Sequence, residues 1–111
     1  MSYNLIIKEG ARLDMSEAYQ YYELQQPGLG DRFLSELEKR FISISEHPEY
    51  YSYIDNKQLL RDVIIGSFPY VVVYAIINDE VRVYAICPHT NVRGVSSRSN
   101  LITANKEQPS L

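Results

Sequence analysis

The chain has 111 residues, 45% of them hydrophobic and 23% charged, a balance that suits one compact domain around one core. Eleven Lys and Arg against fourteen Asp and Glu leave a net charge of −3, which excludes a protein coated over its whole surface by nucleic acid. One cysteine, Cys87, excludes an intrachain disulfide scaffold, and with only His47 and His89 beside it the chain does not read as a zinc module. No metal and no cofactor is expected. Residues 1–8 lack the basic start and long apolar run of a signal peptide. The longest apolar run, residues 68–77, is interrupted by Pro69 and falls well short of the roughly 20 residues that cross a bilayer as a helix. The expectation is a soluble, cytoplasmic protein with no membrane partner.

The elements follow in chain order. Leu5-Ile6-Ile7 before Gly10 predicts a short first strand over residues 3–8. From Ala11 the period changes: Ala11, Met15, Ala18, Tyr19 and Tyr22 share one helix face, and Pro27-Gly28-Leu29-Gly30 ends the helix at Gln25 or Gln26 and turns the chain. Leu29, Phe33, Leu37, Phe41 and Ile44 form the stripe of a second helix that Pro48 stops, so the two helices make a hairpin. Residues 59–65 read as a second strand and residues 68–77, β-branched and aromatic, as a central strand with Pro69 at its start. A tight turn at Asn78-Asp79-Glu80 leads to a last strand over residues 81–87, in which Val81, Val83 and Ala85 alternate with Arg82, Tyr84 and Ile86. The result is an α+β fold: a short N-terminal strand, a helical hairpin, then a three-stranded antiparallel meander with the helices packed on one face. Residues 1–93 form the domain, and residues 94–111, rich in Ser, Asn and Thr, form a C-terminal tail ordered by packing or by a neighbouring chain.

Four residues could carry chemistry on phosphates. His89 and Arg93 make either an acid with an anion clamp or a capping pair at the strand end. Arg61 and Arg82 either share a groove from neighbouring strands or sit as ordinary sheet arginines; Arg61 and Asp62 fall on opposite faces and are not paired. Cys87-Pro88-His89 reads as a small buried thiol rather than a nucleophile. Asp14 and Glu17 are placed on a solvated helix face and rejected as an acid/base pair. Tyr50, Tyr51 and Tyr53 seal the edge between the second helix and the sheet, or stack on bases.

From about Leu5 to Arg93 the chain resembles the RelE/ParE superfamily of bacterial toxins from toxin–antitoxin (plasmid stabilisation) systems. The likeness lies in Glu17-Ala18-Tyr19-Gln20-Tyr21-Tyr22-Glu23, in the segment from Gln26-Pro27-Gly28 through Asp31-Arg32-Phe33-Leu34, in Phe68-Pro69-Tyr70 with Tyr74 following, and in His89 before Arg93. The resemblance implies a helical hairpin on an antiparallel sheet and an antitoxin as partner, with a homodimer left open. It also implies one of two targets: RelE-like toxins cut messenger RNA on the ribosome, and ParE-like toxins poison DNA gyrase. Cleavage needs a base, an acid and cationic donors for charge growing on phosphorus. RelE-like nucleases place an arginine early in the central strand, another after the last strand, and an aromatic residue or histidine near the C-terminus. Here Val71 stands at the first position, Arg93 approximates the second, and no tyrosine follows Tyr84. Residues 81–106 hold Arg82, Arg93, Arg98 and Lys106 and no acidic residue, an excess of +4, whereas residues 1–57 hold six basic and ten acidic residues. The reading is a toxin that inhibits a macromolecular target by binding, ParE-like action preferred. A ribosome-dependent endoribonuclease using Arg61, Arg82, His89 and Arg93 is the first alternative, and a degenerate toxin retained for binding the second.

Overall fold

The structure is a computed structural model and describes residues 2–91. The tail expected over residues 94–111, and Arg93 before it, lie outside the described residues. Four strands form one sheet in the order β1 (Asn4–Ile7), β4 (Glu80–Pro88), β3 (Tyr70–Ile77), β2 (Arg61–Ile64). The meander β2-β3-β4 is antiparallel, as its short connections require, but β1 pairs with β4 in parallel, Leu5 opposite Val81 and Ile7 opposite Val83. The first strand therefore extends the sheet rather than standing apart from it. The long crossover from β1 carries α1 (Glu9–Gln25) and α2 (Leu29–Glu46), both on one face.

The helical stripes predicted from spacing are the ones buried. Ala11 and Ala18 of α1 and Phe33, Leu37 and Ile44 of α2 lose essentially all exposure, with Met15, Tyr22 and Leu34 packed against them. Phe41 also packs there, at the margin of the cluster and only partly buried. Tyr22, Phe33, Phe68 and Tyr70 form a ring cluster with centroids 4.8 to 5.9 Å apart, so one group of side chains ties both helices to the start of β3.

The hairpin turn is held by a residue the local pattern does not single out. Glu23, a turn before the end of α1, accepts from the N–H of Gly28 at 3.1 Å and of Gly30 at 2.9 Å, placing a carboxylate on the free N–H groups of α2. Gly28 takes the left-handed conformation at φ 89°. A methyl group on Gly30 would sit 2.8 Å from the carbonyl oxygen of Tyr19, so the helices approach here as closely as only glycine allows.

The simple alternation expected along the last strand fails at one point. Val73 pairs with Ala85 but Tyr74 pairs with Val83, leaving Tyr84 as an extra residue, a β-bulge. Val81 and Val83 face the helices; beyond the bulge Ile86 does, while Ala85 and Cys87 turn to the opposite face. At the bulge Asp14 of α1 reaches the sheet and accepts from the N–H of Ile86 at 2.9 Å, so it is a structural partner of β4 and not a solvated helix residue. The face away from the helices is also apolar, with Val71, Val73, Ala75, Ile77, Ala85 and Cys87 packed against Ile54, Leu59, Leu60 and Tyr84.

Because Phe33 is fully buried in the ring cluster and Phe41 lies at its margin, Phe33→Ala should destabilise the fold by about 3–5 kcal/mol and Phe41→Ala by distinctly less. Equilibrium urea unfolding of the two variants checks both the size and the order.

Candidate functional site

Strand pairing decides where each candidate side chain goes. Arg61 pairs with Tyr74 and shares its face, the helix side, at the edge of the sheet. Its guanidinium donates to the carbonyl oxygens of Tyr51 at 2.5 Å and Glu49 at 3.2 Å and lies 4.0 Å over the ring of Tyr53. Tyr74, fully buried, donates its hydroxyl to the carbonyl of Pro48 at 2.6 Å, and burial drives its acidity far below that of an ordinary phenol. Two sheet side chains thus fasten the segment that runs from the short 3-10 turn Pro48–Tyr50 into residues 51–53. Of the three tyrosines there, Tyr51 packs partly buried against the helix-side core, while Tyr50 and Tyr53 stay exposed.

Arg82 pairs with Ala75 and so faces away from the helices, two strands from Arg61 and on the other side of the sheet. It forms an ion pair with Glu80 at 2.9 Å. The shared groove weighed for Arg61 and Arg82 does not exist, because β3 separates their strands and their registers put them on opposite faces.

A groove does exist, on the face away from the helices, where the fastened segment stands beside β2. It encloses about 740 Å³ and is lined by Tyr50, Tyr51, Ser52, Asp62, Val63, Ile64, Val71 and His89. Val71, Ile64 and Asp62 point into it because they occupy the face opposite Val72, Val63 and Arg61. His89, exposed in the 3-10 turn His89–Asn91, is positioned by its own N–H, which donates to the carbonyl of Pro69 at 2.9 Å. Of the four residues singled out from the sequence, His89 alone lines this groove; Arg61 and Arg82 stand outside it and Arg93 lies outside the described residues. The residue that sequence reasoning passed over is Asp62. Its carboxylate is partly buried, burial raises its pKa above the ordinary carboxylate value, and His89 opposes that rise. The one cue available in the sequence was its place opposite Arg61 in the strand's alternation.

Among the described residues no group of three His, Cys, Asp or Glu side chains stands ready to hold a metal ion, and no helix is long and apolar enough to cross a membrane. The lining combines one carboxylate, one imidazole, two phenols and aliphatic side chains. That set can bind cationic or hydrogen-bonding groups through the acid and ring faces, but among the described residues it offers a phosphate no arginine or lysine.

The fold is thus a helical hairpin over a four-stranded mixed sheet that contains an antiparallel meander. Residues 5–92 match the family described as the ParE toxin of type II toxin–antitoxin systems, parDE, and the chain belongs to that family. A chain of the chromosomal ParDE TA system from P. aeruginosa is similar in fold, with a TM-score of 0.70 at 11% identity, over 78% of this chain and 96% of that one. The toxin RelE of E. coli, solved in the free state as a double arginine-to-alanine mutant, is similar with a TM-score of 0.66 at 19% identity, over 89% of this chain and 98% of the other. No curated protein matches the sequence.

The raised pKa of Asp62 has a definite sign for stability. A carboxylate whose folded pKa exceeds its unfolded one penalises the fold at every pH above the folded value, and the penalty fades as pH falls to the unfolded value, near 3.8. Asp62→Asn should therefore raise the thermal midpoint at pH 7, and the gap to the wild-type protein should close as melts are repeated toward pH 4.

Proposed function

We propose that this chain is the toxin of a toxin–antitoxin pair and that it arrests growth by occupying a protein target in the ParE manner, with DNA gyrase as the target class, rather than by cutting RNA. The observation that supports this reading is the groove's lining. Transesterification of RNA puts additional negative charge on phosphorus and needs cationic donors aimed at it. Val71 and Asp62 line the groove instead, and Arg61 is turned to the helix side with its Nη1 on two backbone carbonyls. His89 would then act as a contact residue of the groove.

A segment of the antitoxin would fold along α1, whose outward stripe of Leu13, Tyr21 and Leu24 stays exposed, Leu24 to 87%. Ribosome-dependent cleavage is the second reading, favoured by the basic run over residues 81–106.

Induced expression in bacteria should arrest growth, and the purified protein should inhibit gyrase supercoiling while leaving messenger RNA on programmed ribosomes intact. His89→Ala and Arg93→Ala should each weaken the inhibition only as contact residues do, by about 1–2 kcal/mol in binding. Codon-positioned cleavage abolished by Arg93→Ala would establish the nuclease reading, and unimpaired growth would establish a degenerate toxin kept for binding.

A further inference from the structure

The Asp62 groove holds a partly buried carboxylate with the His89 imidazole as its electrostatic neighbour. Among the described residues no side chain or backbone N–H hydrogen-bonds to Asp62, although it sits partly buried on a strand at the edge of the sheet. Its neighbour Arg61 cannot serve, since it points through the opposite face and is held by Glu49 and Tyr51. The Arg82 guanidinium is paired with Glu80. The walls around the carboxylate are flat and apolar: Tyr50, 81% exposed and edge-on to Tyr51, Ile64, 51% exposed, and Val71. His89 closes the far side.

We propose that this groove receives an arginine side chain of the antitoxin, its guanidinium paired with the Asp62 carboxylate and lying against the Tyr50 ring and Ile64. This rests on the reading that an antitoxin is the chain's partner and names the chemistry by which it is recognised. A guanidinium suits the site for three reasons. Its planar fork offers two parallel donors to the two oxygens of one carboxylate. Its faces are weakly hydrated and pack on aromatic and aliphatic surface, with the ring quadrupole adding attraction. A lysine ammonium would keep more of its hydration in so apolar a setting. A phosphate would instead be brought against Asp62 without a described cation to hold it, so a nucleic acid is disfavoured in the same place.

The test uses the full chain and two ligands. In nuclear magnetic resonance titrations, N-acetyl-arginine methylamide should shift the backbone signals of Ile64, Val71 and His89, while the citrulline analogue, equal in shape but uncharged, should not. Asp62→Asn should abolish the arginine response. Calorimetry with a co-purified antitoxin encoded beside this chain should show binding weakened about tenfold or more by Asp62→Asn, with Glu80→Gln as an unaffected control. An unchanged thermal midpoint, or a higher one, shows that the variant folds. Equal shifts from arginine and citrulline, antitoxin binding indifferent to Asp62→Asn, or the same signals moved by a single-stranded RNA hexamer would each overturn the proposal. Failure of the toxin reading looks different: growth would be unimpaired while the groove still distinguished arginine from citrulline.

Discussion

The fastening of residues 48–51 to the sheet is the constraint from which the functional surface follows. Tyr74 from the central strand and Arg61 from the edge strand each donate to backbone carbonyls of that segment, one buried at 2.6 Å and the other bifurcating to Glu49 and Tyr51. A buried carbonyl left without a donor is costly, so these bonds fix where the segment lies more firmly than its exposed tyrosines could. Its position makes Tyr50, Tyr51 and Ser52 one side of the groove. The same bonds hold the Arg61 guanidinium on the helix side of the sheet, with its Nη1 given to the two carbonyls.

Alternation along β2 then does the rest. With Arg61 turned toward the helix side, Asp62 and Ile64 must face the other way, where Val71 from β3 and His89 beyond β4 meet them. Among the described residues the groove is therefore lined by one carboxylate, one imidazole, phenols and apolar side chains, and Arg82 on β4 is paired with Glu80. Net charge or a count of arginines along the sequence says little about such a site; what matters is the face each residue occupies and the partner it already has.

Much of the fold was legible because it is written in local periods. The stripe from Phe33 through Leu37 to Ile44, the breaker at Pro27-Gly28 and the β-branched run of the central strand each act over a few residues, and all three stand where they were expected. What escaped depends on contacts distant in sequence or on a break in period. The bulge at Tyr84 moves Ile86 to the helix side against the alternation, and Asp14, polar and therefore assigned to solvent, binds the Ile86 N–H 72 residues away. Glu23 caps a helix other than its own. For the site, His89 was singled out and does line the groove, whereas judging the partnership of Arg61 with Arg82 required knowing that β3 lies between them. Asp62 was passed over because its importance comes from what does not pair with it.

The central claim is that Arg61 is a fastener for the groove wall and not a clamp for phosphate, and Arg61→Ala measured in parallel by urea unfolding and by inhibition per folded molecule tests it most directly. Losing a charged donor to two carbonyls should lower the unfolding free energy by about 1–3 kcal/mol, with inhibition by the remaining folded protein little changed. Undiminished stability together with lost inhibition would contradict the account.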